Sequence, residues 1–410
     1  VLRIILDLQI VTKNRMILAH KIALDPTVKQ RIAFAKACGV ARFTWNWALA
    51  EWVKQYKAGK KPSAFALKTQ WNKTKKKKFP WVYESPKDAN QQPFTNLGNA
   101  FHRFFTKTAG HPVFKKKGER DSFYVSNDLF KVKGMVIRLP LVGEVRMTEM
   151  LRFDGKIMSA TVSRQADRWL VSIAVDVGEA RKPRAGNGEI GIDIGLKHAL
   201  VCSDGQVFDA PKPLKENLKR LQRRSRQHSR KQKGSNNRKK SQRRLARLHA
   251  RIARIRYDWQ HKVTTKIARE NQTVCLEDLN VKGMMANRRR SRATQDVGFA
   301  EIRRQCEYKM PLHGGRAIII SRWFPSSKKC SRCGVVKDSI ALSERVFRCD
   351  RCGFEIDRDL NAARNIRTVG LTGTYACGPE GAGDRREATA KPCRVEAGTA
   401  PWVDSHSLTK

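Results

Sequence analysis

Two Cys-x-x-Cys pairs, Cys330/Cys333 and Cys349/Cys352, stand fifteen residues apart and lead into Asp357-Arg358-Asp359-Leu360-Asn361-Ala362-Ala363. No other stretch limits the fold as tightly. Four sulfurs at this spacing match a closed tetrahedral zinc site. Gly334 and Gly353 follow the second cysteine of each pair, where a knuckle turn needs a small residue. Zinc held by four sulfurs has no open position, so its expected role is structural: it folds a finger of about 30 residues that has almost no core of its own. The alternative, two reactive dithiols, fits the paired spacing poorly. The acidic run beyond the finger opens a helix, where a carboxylate can be aimed at a metal.

Charge narrows the partner. Lys and Arg number 84 against 37 Asp and Glu, a net charge of +47 in 410 residues. Such a surplus repels itself unless a polyanion offsets it, so nucleic acid is expected, with binding that weakens steeply with salt. An acidic membrane surface is the rival, but the chain shows neither an amphipathic anchor nor a lipidation signal. No apolar run approaches the roughly 20 residues needed to span a bilayer. The opening VLRIILDLQI contains Arg3 and Asp7 and lacks a small-residue cleavage site, so it does not read as a signal peptide. The remaining cysteines, Cys38, Cys202, Cys275, Cys306, Cys377 and Cys393, follow no spacing rule, as in a reducing cytoplasm. A zinc ribbon against an acidic helix start, in so basic a chain, points to an enzyme that cuts nucleic acid.

The hydrophobic period changes along the chain. Residues 1–15 read as an extension, and Met16 opens a strand that turns at Asp25-Pro26. Over 27–108 the period is helical: Trp45, Leu49, Trp52, Val53 and Tyr56 share one face, and Phe94, Leu97, Phe101 and Phe104 repeat the spacing. The Lys75–Lys78 run reads as a solvated loop, and Trp45, Trp47 and Trp52 as helical core. From about 112 to 177 the period falls to two, in short runs split by Gly, Asn and Asp turns, as in a small barrel that the first strand could join. A Gly/Pro/Arg linker at 178–188 precedes strands over EIGIDIGLKHALVCSDGQVF. A basic helical region over 211–270 follows, with 22 Lys/Arg against three acids. In it Leu245, Leu248, Ile252, Ile255 and Trp259 form a coiled-coil seam that Leu218 and Leu221 could face. So one-sided a surplus favours a phosphate-contacting arm over a merely soluble hairpin. A strand at 273–280, an Arg-rich loop at 282–295, a helix at about 297–312 and a strand at 316–324 lead to the ribbon. From Gly370 the chain is rich in Gly, Ala and Thr, as in a disordered tail.

Three acids share one logic. Asp193 lies in a strand between glycines (GIDIG), Glu277 ends an apolar strand (VCLEDLN) and Asp359 opens a helix (DRDLNAA). A ribonuclease-H-like core gathers such carboxylates at the ends of adjacent strands and a facing helix. There two Mg²⁺ ions about 3.5–4 Å apart can clamp a scissile phosphate. Mg²⁺ prefers hard oxygen ligands, which suits Asp and Glu rather than His or Cys. Taken singly, each acid is more often a turn or solvated residue; the order and contexts together carry the reading. Strand alternation puts Glu277 and Asp278 on opposite faces, so only one joins the cluster. His198, His228, His249 and His261 show no ligand spacing.

These residues resemble a known family. GIDIGLKHALV, CLEDLN, FPSSKKCSRCG, RCDRCGFEIDRDLNAARNI and RKQKGSNNRKK together are similar to TnpB, the transposon-encoded RNA-guided DNA nuclease related to the type V CRISPR effectors. The resemblance runs from about Met16 into the tail, loosely before residue 180 and specifically over 190–366. It implies a multidomain α+β fold. A wedge β-barrel (1–26 and 110–178) carries an inserted helical recognition domain (27–109). A RuvC α/β nuclease domain (186–324 and 354–370, with the basic hairpin 211–270) carries a zinc ribbon (325–353), and a disordered tail (371–410) ends the chain. It implies catalytic, magnesium-binding roles for Asp193, Glu277 and Asp359, which selects Glu277 over Asp278, and zinc ligation by Cys330, Cys333, Cys349 and Cys352. It further implies a guide RNA from the transposon end, double-stranded target DNA beside a short flanking motif, and a prokaryotic cytoplasmic, nucleoid-associated site of action. A monomer is the default expectation. The family often has Trp where this chain has Phe299, a difference of packing. Two other readings remain open: a small type V CRISPR effector with the same chemistry, and a non-cutting RNA-guided repressor.

Overall fold

The computed structural model describes residues 15–179, 188–341 and 343–373. The expected extension before Arg15, the linker over 180–187 and the tail beyond residue 373 lie outside the described residues. The chain divides into two units after Glu179.

The first unit opens on strand β1 (Arg15–Asp25), in which Leu18, His20, Ile22 and Leu24 alternate into the core. Thr27 then stops the strand and starts a helix. Its hydroxyl accepts from Gln30 N and its N–H donates to Gln30 Oε1, a reciprocal cap that satisfies two otherwise orphaned donors. Helices α1 (Val28–Lys57), α2 (Ala64–Lys78) and α3 (Lys87–Phe105) follow. Phe34, Trp45, Trp52, Trp71, Phe94 and Leu97 are buried, while Trp47 is partly so. The Lys75–Lys78 run is not a loop but the last turn of α2. Ser63 caps this helix, Leu67 and Trp71 anchor it, and cations at its C-terminal end complement the helix dipole.

Strands β2 (Ser122–Ser126), β3 (Lys131–Lys133), β4 (Val136–Leu139), β5 (Gly143–Met147), β6 (Lys156–Gln165) and β7 (Arg168–Glu179) join β1 in one antiparallel sheet of order β2-β6-β7-β1-β5-β4-β3. The sequence reads as a small barrel. Among the described residues β2 and β3 are instead two free edges, with no hydrogen-bonded ladder between them. Strand β1 pairs with β7 along most of its length and with β5 only at Leu24 and Asp25.

The second unit is built on a five-stranded mixed sheet of order β10-β9-β8-β11-β12. Its strands are β8 (Glu189–Asp193), β9 (Leu200–Cys202), β10 (Val207–Phe208), β11 (Thr273–Glu277) and β12 (Arg316–Ile320). Strands β8, β11 and β12 run parallel, with β11 central. Parallel neighbours need crossovers, and long helices supply them. Between β10 and β11 lie α4 (Pro213–Ser229) and α5 (Asn236–Glu270), the latter 35 residues and about 52 Å long at 1.5 Å per residue. The short helices α6 (Val281–Ala286) and α7 (Ser291–Val297), then α8 (Phe299–Leu312), bridge β11 to β12. The α4/α5 seam buries Leu221, Leu248 and Ile252, with Leu214 and Leu245 alongside. It is shorter than the sequence suggested. Ile255 is exposed, and Trp259 packs instead into the sheet core, because α4 begins only at Pro213, where Asp296 accepts from Leu214 N and Lys215 N.

After β12 comes the ribbon hairpin, β13 (Val346–Arg348) and β14 (Glu355–Asp357), which runs directly into α9 (Arg358–Thr372). The sheet separates two cores. Ile190, Ile192, Val274 and Leu276 face α5 and α8, whereas Cys275 and Ile320 face Ile366 and Val369 of α9. The strand expected over 316–324 stops at Ile320, because its only partner, β11, has already ended at Glu277.

Candidate active site and metal centre

Alternation fixes where the acids point. On β8 the residues facing α5 and α8 are Ile190 and Ile192, so Gly191 and Asp193 face α9. Gly191 lies where the helix crosses. A Cβ there would come 2.1 Å from Ala363 O and 2.4 Å from Arg367 N, so only glycine permits this approach. Gly370 does the same against β11, where an added Cβ would meet Cys275 Sγ at 2.3 Å. Asp193 is two residues beyond Gly191, toward the C-terminal end of its strand, and Asp359 is one turn before Ala363, at the first turn of α9. Glu277 stands two residues beyond Cys275, on the same α9-facing side, at the end of the adjacent parallel strand. The three sequence-selected carboxylates therefore meet at one corner of sheet and helix.

Electrostatics reports the crowding. Burial, reinforced by the negative charges of Glu277 and Asp359, pushes the Asp193 carboxyl up to about 7, against the opposing pull of Arg358 and a backbone N–H from Ile194. Burial also raises Glu277, and the Ser326 hydroxyl, which donates to it, offsets part of that. Asp278 points to the other face, where it pairs with Arg303 of α8 and with Arg322. Burial alone would raise Asp278, but the two guanidiniums outweigh it and hold the carboxyl below its usual range. Asp357 is likewise occupied: its carboxylate caps α9 through Asp359 N and Leu360 N. The two neighbouring acids thus have structural partners.

A half-buried carboxylate raised toward neutrality by desolvation and by two neighbouring charges is a site short of positive charge, and hard oxygen donors suit Mg²⁺. The three carboxylates do not bring one oxygen each within 4.8 Å of the others.

The cysteines do converge: among the described residues they form the one group of three or more His, Cys, Asp or Glu with all ligand atoms within 4.8 Å. Cys330 and Cys352 sulfurs are 3.8 Å apart and those of Cys333 and Cys349 are 3.5 Å apart. A tetrahedron with Zn–S bonds of about 2.3 Å has edges of about 3.8 Å, so zinc fits. Each pair forms a knuckle: Gly334 N donates to Cys330 O and Gly353 N to Cys349 O, both at 3.0 Å, with each glycine at positive φ.

The residues that tie the two centres together were not singled out from sequence. Asn361 and Asn365 of α9 are buried, and their side-chain amides hold the strap that leads into the first knuckle. Asn361 Nδ2 donates to Lys329 O (2.7 Å), its Oδ1 accepts from Ser331 N (3.0 Å), and Asn365 Nδ2 reaches Ser326 O (2.8 Å). Spacing could have found them. Asn361 and Asn365 are one turn apart, two polar side chains on the stripe of α9 that carries buried Ala362, Ile366 and Val369.

Comparisons with known proteins agree with this architecture. Residues 172–288 match the family OrfB_IS605, described as "Probable transposase", and residues 299–366 match "Cas12f1-like, TNB domain". Residues 16–61 match "Helix-turn-helix domain", although here they contain β1 and the single helix α1. A Streptomyces pristinaespiralis protein named "Putative RNA-guided DNA endonuclease" is 36% identical over 90% of this chain and 93% of its own length. "Putative RNA-guided DNA endonuclease InsQ" of Escherichia coli (strain K12) is 32% identical over 88% of this chain and 94% of its own. The fold is similar to that of the Cas12f1 chain in a complex with sgRNA and target DNA, with a TM-score of 0.58 at 15% identity, over 87% of this chain and 99% of that one. With a transposase family match over residues 172–288 and relatives above 30% identity along nearly its whole length, the chain belongs to the TnpB (IS605 OrfB) family.

Proposed function

We propose that this protein is an RNA-guided DNA endonuclease that hydrolyses phosphodiester bonds at Asp193, Glu277 and Asp359. The observation that carries the reading is the meeting of these acids from two adjacent parallel strands and the first turn of α9, with Asp193 raised to about 7 by burial and by the other two charges. The names of the near relatives supply the guide RNA and the DNA target.

In this reading the three carboxylates hold Mg²⁺. When bound, such ions polarise the scissile phosphate and make water a nucleophile at neutral pH. The chain's own residues do the rest. Asp193 would hold the ion as a carboxylate; burial and the charges of Glu277 and Asp359 favour its protonated form, and a bound cation would offset them. The Ser326 hydroxyl fixes the Glu277 carboxylate. Asp357 holds the first turn of α9, and with it Asp359. The basic α4/α5 hairpin lies against phosphates, and base pairing with the guide reads the target while protein reads only a short flank. The first unit serves as wedge and recognition domains, the second as RuvC domain and zinc ribbon, with Zn²⁺ on Cys330, Cys333, Cys349 and Cys352. The fold likeness to Cas12f1 favours one second reading, a small type V effector with the same chemistry; a repeat array rather than transposon ends beside the gene would identify it.

Plasmid cleavage by the protein purified with its RNA tests the assignment. The parent cuts in Mg²⁺ and not in EDTA, and Asp193→Ala does not cut. Equal cutting by parent and variant rejects this site.

A further inference from the structure

Trp323 is 81% exposed, and among the described residues of the second unit only Tyr257, at 42%, is another exposed aromatic. The backbone that carries it is fixed on both sides. Arg322 is ion-paired with Asp278, the residue after Glu277. Phe324 is buried with Cys275, Ile366 and Val369 under α9. Trp323 N donates to Ser321 Oγ (3.3 Å) and Phe324 N to Ser321 O (3.2 Å), closing a tight turn with the indole at its tip. Three residues on, Ser326 gives its hydroxyl to Glu277 and its carbonyl to Asn365 of α9. Extended chain covers at most about 3.6 Å per residue, so the Trp323 Cα stands within about 11 Å of the Ser326 Cα. The indole is therefore displayed to solvent on a turn anchored to two of the three elements that carry the acids, β11 and α9.

Packing does not explain this arrangement, since the neighbouring Phe324 already supplies the apolar anchor. The setting favours a base. Arg322 of the turn and Arg303 share the single carboxylate of Asp278, which leaves a net positive charge at the base of the turn, and the flat indole face suits any unpaired nucleobase. We propose that Trp323 is a stacking platform for an unpaired base of the DNA strand entering the Asp193–Glu277–Asp359 site. The inference rests on the nuclease reading of that site, and it adds the residue that seats the strand.

The test separates the two ideas. Full-length, RNA-loaded protein carrying Asp193→Asn is titrated with fluorescent single-stranded DNA at several salt concentrations, with no cleavage required. Adding Trp323→Ala weakens binding by about 5- to 150-fold, the range expected for one lost base–aromatic stack. The slope of log K against log salt stays unchanged, because no phosphate contact is removed. Trp323→Phe keeps most of the affinity, and Trp323→Leu, apolar but without a π-face, behaves like the alanine variant. Undiminished binding by Trp323→Ala, or equal binding by the Phe and Leu variants, overturns the proposal. So does a loss of co-purified RNA without any loss of DNA affinity, since the stacked base would then belong to the guide. Failure of the parent to cut DNA sinks the nuclease reading and leaves the stacking result standing on its own.

Discussion

At the scale of single residues, the sharpest contrast is between Glu277 and Asp278. They are chain neighbours of like charge, and one strand step turns one toward α9 and the other toward Arg303 and Arg322. Glu277→Gln abolishes cleavage with little change in melting temperature. Asp278→Asn keeps cleavage and lowers stability by about 1 kcal/mol, a small figure because the pair is partly solvated; a melting curve beside a cleavage assay reads both. The opposite-face relation was legible in the sequence from alternation alone. Which of the two faces the helix was not, because that depends on which side of the sheet α9 covers. Gly191 carried that information unread, as a glycine in a strand often marks a close backbone approach. Gly191→Ala puts a methyl carbon 2.1 Å from Ala363 O, so helix and strand must separate. It lowers stability by at least about 1–3 kcal/mol and reduces cleavage, measured as a melting shift and a rate.

At the scale of elements, the four-cysteine cluster and the three acids share a support. The strap from Phe324 to Ser331 is held by Asn361 and Asn365, and β14 ends at the cap of α9, so the ribbon helps to fix the turn that carries Asp359. Cys349→Ser therefore loses bound zinc, read by metal analysis, and loses cleavage with it, although no cysteine touches the carboxylates. The ribbon could be read from spacing because metal ligands fix their own distances. The end of β12 could not, since Ser321-Arg322-Trp323 continues an apolar β-like run and only the end of its partner strand stops it. The Lys75–Lys78 run misled for a related reason: charge reports solvation, and the last turn of a helix is as solvated as a loop. Lys309 of α8 gives a pH test of the α5/α8 packing. Its Nζ donates to His261 O, Thr264 Oγ1, Thr265 Oγ1 and Gln305 Oε1, and burial lowers its pKa to about 8 despite nearby Cys306 and Glu301. Between about pH 8 and the unfolded value near 10.4, the unfolded chain binds more protons than the folded one, so this residue's contribution to stability rises with pH there. Lys309→Met removes that rise, and denaturant melts at pH 8 and 10 measure it.

At the scale of the whole molecule, the net charge of +47 and the two units define a chain made to be completed by nucleic acid. The chain divides after Glu179 into a unit with a helix-bearing antiparallel sheet and a unit with a mixed sheet and a four-cysteine finger, and the hydrophobic period changes along the sequence in the same region. Closure of the first sheet was not legible in the sequence, because strand spacing counts strands without saying which edges meet. Asp193, Glu277 and Asp359 are proposed to act as one site. The most direct test is cleavage of a matched target by RNA-loaded protein in Mg²⁺, comparing the parent with Asp193→Asn, Glu277→Gln and Asp359→Asn and monitoring target binding in parallel. Each variant is expected to bind target like the parent and to cut at least about 100-fold more slowly, with double variants little worse than single ones. Cutting at the parental rate by any one of the three contradicts the proposal of one site.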